Sequence, residues 1–151
     1  MEQAKNIFVS HYHADADKIK SLKEILAKHG MNMRDSSIYE DKNPNNAHNE
    51  EYIKSFIRPQ IDWAGTMIVL IGTKTSQSDY VNWEIKHAAS NGKRIIGVYL
   101  YGKKDENIPE ALKQYGDALC GWNGEKIIEC INGDDSWDGP QRKWFTGRSN
   151  C

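Results

Sequence analysis

Cysteine is scarce in this chain: Cys120, Cys130 and Cys151 are the three among 151 residues. An odd count without a CxxC pair argues against a disulfide framework and against a cysteine-built zinc site. Cys120 and Cys130 stand among apolar neighbours and read as core fillers, whereas Cys151 reads as an exposed thiol. Net charge is nearly absent too, with 20 Lys+Arg against 21 Asp+Glu giving -1 at pH 7. That balance supplies no electrostatic reason for nucleic acid or an anionic membrane as the main partner. No apolar run approaches the roughly 20 residues of a membrane span. Met1–Lys5 lacks the apolar core of a secretion signal, so a cytoplasmic location is expected. There is no internal repeat and no low-complexity linker. What remains is a polar but globular composition, 38% hydrophobic and 27% charged. Its length suits one domain able to bury roughly two thirds of its unfolded surface without staples.

Short apolar runs alternate with helical periods along the chain. Asn6–Ser10 reads as a buried strand. From Asp15 the spacing of Ile19, Leu22, Ile25 and Leu26 predicts a helix that stops at His29-Gly30, with Asp15 and Asp17 favourable at its positive end. Met31–Tyr39 is a more polar strand candidate, and Asp41–Asn49, with four Asn and a Pro, is a loop. Tyr52, Ile53, Phe56, Ile57 and Ile61 mark a second helix, which Pro59 is expected to bend or end early. Thr66–Gly72 is the most hydrophobic run and reads as the central strand. Val81, Ile85 and Ala88 line a third helix that ends at Asn91-Gly92. Arg94–Leu100 and Ala118–Trp122 are further strands, and Ile108–Tyr115 and Glu125–Ile131 further helices, the first with Pro109 in its opening turn. Residues 1–133 then form the domain. Residues 134–151 form a tail without period, an arm packed across the domain or a frayed end. Its mixture of aromatic and basic side chains leaves an interface role open.

Strands that alternate with helices imply a parallel sheet covered on both faces. Five strands in this length give a flavodoxin-like, doubly wound α/β sheet. Ligands of such sheets bind beyond the carboxyl ends of the strands, where strand order reverses. Three loops follow strands there: Ser10–Asp17, Glu40–Asn49 and Gly72–Asp79. The first has no glycine and is acidic, so it is neither GxGxxG nor a P-loop and offers no pyrophosphate cradle. It lacks the Ser/Thr-rich phosphate turn of flavodoxins, and no Asp ends the central strand as a phospho-acceptor would. His11-Tyr-His13-Ala-Asp15 has the spacing of binuclear metallohydrolases, but the next ligand position is Ala16, and His29, His48 and His87 are too few to complete two metal shells. No metal is expected.

The Gly72–Ala88 stretch carries more. Ser78 is suited to cap the third helix, and Tyr80 and Glu84, four apart, then share a face near the strand ends. Glu84 flanks the apolar stripe, and a carboxylate beside an aromatic ring suits a cationic, ring-bearing ligand. An ordinary solvated Glu with a structural Tyr fits the same periodicity.

Phe8-Val-Ser10, the Asn-rich loop, Ile68–Gly72 and Ser78-Asp-Tyr-Val-Asn-Trp-Glu84-Ile together resemble the TIR-like family, in particular the TIR-like proteins of bacterial Thoeris antiphage systems. The similarity runs from about Lys5 to Leu119. It implies a flavodoxin-like fold and, as in enzymatic members, cleavage of NAD at the nicotinamide–ribose bond, with NAD as substrate and no cofactor. By the same resemblance Glu84 is the catalytic carboxylate. Tyr80 stands where the family usually has a stacking Trp, and Phe8 and Ser10 lie at the pocket floor. His11 and Asn43 are further substrate-binding candidates, Asn43 within the loop that closes over the substrate or packs on a neighbour. Trp83 points about 100° away from Glu84 and reads as core or interface. The resemblance also implies an ADP-ribose-derived signal that activates a separate effector, with a cyclic form favoured and hydrolysed or conjugated products left open, and activity in a homo-oligomer. Two other readings stay open: a non-enzymatic TIR-like module acting by homotypic assembly, and a flavin- or nucleotide-binding flavodoxin relative.

Overall fold

The run with no polar interruption became the middle of the sheet. In the computed structural model, which describes residues 5–35, 50–102 and 105–140 (backbone alone at 13, 14, 16 and 105), strand β3, Thr66–Ile71, is buried at all six positions. It lies between β1, Asn6–Ser10, and β4, Arg94–Tyr99, with β2, Asn32–Asp35, and β5, Ala118–Cys120, outside them. The order is β2-β1-β3-β4-β5, and every pairing is parallel. This is the flavodoxin-like sheet that the alternation predicted.

Strand alternation divides the core in two. Phe8, Met67, Val69, Ile71, Ile95 and Tyr99 face one side, where helices α2, Glu50–Trp63, α3, Asp79–Ser90, and α4, Glu110–Tyr115, cover them. Ile7, Val9, Ile68, Leu70, Ile96 and Val98 face the other, under α1, Ile19–Lys28, and α5, Gly124–Ile131. Cys120 and Cys130 are buried in that second layer, as their neighbours suggested.

Three local expectations need correction. Pro59 neither bends off nor ends its helix, because α2 continues to Trp63. Ile53, Ile57 and Ile61 all bury on one face of α2, and that packing holds the rod together. Pro59 falls on the exposed face, where the carbonyl of Ser55 that loses its amide partner can turn to water. The first helix begins later than Asp15. A 3-10 turn, His13–Lys18, precedes α1, and Lys18 at its cap position makes no capping bond. Asp15 is instead buried in that turn, whose amide bonds the Tyr12 carbonyl at 2.8 Å and keeps the carboxylate near the strand tips. Pro109 stands at the cap of α4 and not inside its first turn. Residues 36–49, with the Asn-rich loop and Asn43, lie outside the described residues, as do 141–151 with Cys151.

The start of the tail packs on the domain. Leu119 of β5 donates to the Ser136 carbonyl and accepts from Asp138, each at 2.9 Å, so residues 134–140 cover one sheet edge. The Arg94 guanidinium fastens the segment through the carbonyls of Cys130 and Asp134 and the Asp135 carboxylate. Among the described residues no helix is long and apolar enough to cross a membrane.

Candidate functional site

Strand order reverses between β1 and β3: the chain leaves β1 toward the α1 face and β3 toward the α3 face. The two departing segments therefore part beyond the strand tips, which is where a doubly wound sheet opens a site. They nonetheless come close at Gly72 and Asp15. The Gly72 amide, just past β3, donates to Thr75 Oγ1 at 2.7 Å. A Cβ on Gly72 would fall 2.2 Å from Oδ2 and 2.8 Å from Cγ of Asp15, so only glycine lets the two loops approach. Gly72→Ala is expected to push Asp15 aside and to cost about 1–3 kcal/mol, read as a lower urea midpoint at unchanged m-value.

Helix α3 starts at this crevice. Ser78 caps it, its Oγ accepting from the Val81 amide at 3.2 Å, as the sequence suggested. That start sets the rotation: Val81, Ile85 and Ala88 enter the core, and Glu84 arrives against the tip of β1. Glu84 does more than flank the stripe, for it is 0% exposed. Its Oε1 accepts a hydrogen bond from Ser10 Oγ at 2.5 Å. Its Oε2 is equally buried and has no hydrogen-bond partner among the described residues. Burial drives the carboxyl pKa up to about 8; the Ser10 bond and the charge on His11 act against that rise, and Asp35 adds to it.

The other predicted residues fall around this carboxyl. Phe8 lies on the same strand face as Ser10 and is wholly buried in the core cluster that includes Ile57, Val81 and Ile85. His11 follows directly and is 5% exposed. Its Nδ1 donates to the Tyr12 carbonyl at 3.0 Å, and its Nε2 lies 3.7 Å from Oδ1 of Asp35, the last residue of β2. Burial opposes a charge on His11, but Asp35, the Tyr12 carbonyl and Glu84 outweigh it and raise its pKa. Tyr80 is half-buried one turn before Glu84, packed on the edge of the core. Its hydroxyl is made less acidic by burial and by the charges of Glu50 and Glu84. Trp83 points away, over His87 at 5.7 Å between ring centres and beneath Lys54 and Arg58, a packing role. Among the described residues no three His, Cys, Asp or Glu side chains group as metal ligands.

Sequence reasoning missed Asp35 and Asp15 as neighbours of the site. Asp35 became visible only with the register Val9↔Asp35, which sets the end of β2 beside the residues that leave β1.

The sequence pattern of the family described as "Thoeris protein ThsB, TIR-like domain" matches residues 8–105, which contain every candidate named above. No curated protein sequence matches the chain. Among solved structures, the 2-deoxyribosyltransferase of Bacillus psychrosaccharolyticus is similar with a TM-score of 0.56 at 14% identity, over 81% of this chain and 89% of that one. The Clostridium botulinum CMP N-glycosidase BcmB is similar with a TM-score of 0.56 at 16% identity, over 85% and 98%. A CheY-like receiver domain from Methanospirillum hungatei JF-1 gives 0.53 at 19% identity, over 86% and 92%. Identities this low establish a shared fold.

Proposed function

The chain belongs to the TIR-like domain family of Thoeris protein ThsB, and from that premise we propose that it cleaves the nicotinamide–ribose bond of NAD to make an ADP-ribose-derived, cyclic signal in bacterial antiphage defence. One observation carries the reading: a fully buried glutamate at the switch point, with one oxygen fixed by Ser10 and the other unpartnered. Burying a carboxyl with an oxygen left unsatisfied costs a fold several kcal/mol, so a role in chemistry is a reason for the placement.

The chemistry needs such a group. Nicotinamide is a cationic leaving group in NAD and departs as a neutral molecule with the bonding electron pair, so no general acid is required. The ribose carbon left behind is oxocarbenium-like. A carboxylate already oriented, in a site shielded from water, stabilises that charge more than solvent does. Ser10 holds Oε1, which leaves Oε2 to face the sugar. Attack by water then gives ADP-ribose, and attack by the dinucleotide's own adenine or a ribose hydroxyl gives a cyclic isomer that a separate effector would read. The C. botulinum CMP N-glycosidase shows that the fold can host cleavage of a sugar–base bond; Glu84, Ser10 and His11 are this chain's own means. Because Glu84 does not meet solvent in the single chain, NAD reaches it only when neighbouring side chains part, which a homo-oligomer formed in the cytoplasm would bring about.

Incubating the protein with NAD, dilute and concentrated enough to assemble, and following nicotinamide and the nucleotide co-product by mass spectrometry tests this. Release of nicotinamide with a co-product of ADP-ribose mass or that mass less water supports the proposal. Intact NAD in every assembly state overturns it. Two further outcomes are expected of an active sample. Below pH 8 kcat/KM should rise about tenfold per pH unit and then level, because Glu84 of the free enzyme must lose its proton. Tyr80→Ala should raise KM about tenfold, the size of one lost base–aromatic stack, with kcat changed less, and Tyr80→Phe should behave as the parent.

A further inference from the structure

Beside the glutamate lies a buried ring whose proton count follows from geometry. The Tyr12 carbonyl only accepts, so His11 Nδ1, 3.0 Å away, carries a hydrogen. Nε2 faces the Asp35 carboxylate at 3.7 Å, a separation that is attractive only if Nε2 carries a hydrogen as well. A neutral ring would set a lone pair against a carboxylate, with the ring itself closed off from water. We infer that His11, clamped between the Tyr12 carbonyl and Asp35, is a buried imidazolium that serves as the fixed counter-charge of Glu84, a positioning residue.

Four described side chains approach the carboxyl. Toward Glu84 come Ser10 and His11 from the end of β1, Asp35 from β2 and Tyr80 from its own helix; Glu50, at the start of α2, acts on Tyr80. His11 is the one cation among these groups. The direction of its influence agrees with the geometry, since its charge favours the ionised carboxyl while Asp35 opposes it. Asp35 therefore acts on Glu84 through two routes of opposite sign: directly as a like charge, and indirectly by keeping His11 protonated. The indirect route places a positive charge next to the one carboxyl that the proposed reaction needs ionised at neutral pH. A histidine suits this better than lysine, because its short, planar side chain fits against the strand tip with both nitrogens bound.

This inference rests on the proposed role of Glu84 for its meaning but not for its test. Nitrogen-15 NMR of the imidazole side chains in the whole, unaltered chain reads the protonation of His11 without a substitution. Two protonated nitrogens at pH 7, and a midpoint above the usual histidine value that falls in Asp35→Asn, are expected; a neutral tautomer at pH 7 overturns the inference. Carbon-13 NMR of protein labelled at the glutamate carboxyl, with the Glu84 signal identified by its loss in Glu84→Gln, reads the partner. In His11→Gln the Glu84 midpoint should move up by about one pH unit, and kcat/KM for NAD at pH 7 should fall about tenfold in step with it. An unmoved midpoint overturns the inference. If the NMR shifts are found but NAD is never cleaved, the charge pair stands and the proposed function fails.

Discussion

Replacing Glu84 by Gln is expected to lower nicotinamide release by about a hundred- to a thousandfold, the loss seen when one preorganised electrostatic stabiliser is removed from a shielded site. The substitution isolates charge from shape. A Gln oxygen can still accept the Ser10 hydroxyl that now bonds Oε1, and the side chain keeps the length that fits between α3 and the tip of β1. Circular dichroism and the assembly state should therefore match the parent, so a fall in turnover reports the missing negative charge. Single-turnover measurements should put the loss in the bond-breaking step, because the charge is needed where the sugar becomes cationic and less so in the bound ground state. Equal turnover by parent and variant would remove Glu84 from the reaction. Unchanged antiphage signalling by a variant that makes no product would instead favour a module that acts by assembly.

Much of this arrangement was legible because the sequence encodes it locally. Thr66–Ile71 has no polar interruption and is the central strand; Ser78 followed by Val81, Ile85 and Ala88 fixes both the start of α3 and its rotation. The Tyr80–Glu84 pair then follows from helical spacing alone. The family resemblance, not periodicity, singled out that pair from an ordinary solvated glutamate and tyrosine. What the sequence hid is tertiary. A helical wheel gives Glu84 an angle but does not say that Ser10, 74 residues earlier, closes over it. The partner of His11, Asp35, is hidden because it adjoins that ring only through the β1–β2 pairing. Pro59 shows the converse: the local rule is right about a lost hydrogen bond, but the burial of Ile53, Ile57 and Ile61 against the sheet outweighs it. Asp15 suits a helix start by local rules, yet the backbone uses a tight 3-10 turn that sets it against Gly72.

The largest stability effect should come from the same carboxyl, with a sign opposite to that on activity. Glu84 has its pKa raised from 4.5 to about 8 in the fold. Between those values the folded chain holds a proton that the unfolded chain releases, so stability falls as pH rises through this window and levels above pH 8. Below about pH 4.5 both states are protonated and the contribution vanishes. Glu84→Gln carries no such proton, so parent and variant should melt alike near pH 4.5. Their curves should separate steadily above it, with the variant the more stable by several kcal/mol at pH 9, about 10 °C or more in Tm for a chain of this size. Differential scanning calorimetry across that range reads the gap directly. NAD, which brings a cationic ring to the carboxylate, should narrow it by stabilising the parent more than the variant. A constant gap, or none, would mean that the carboxyl titrates as an ordinary solvated group, and the buried anion on which the proposed chemistry depends would not exist. A gap that opens as described means that the fold tolerates a destabilising charge at the one position where bond cleavage requires it, the trade between stability and activity found at functional sites.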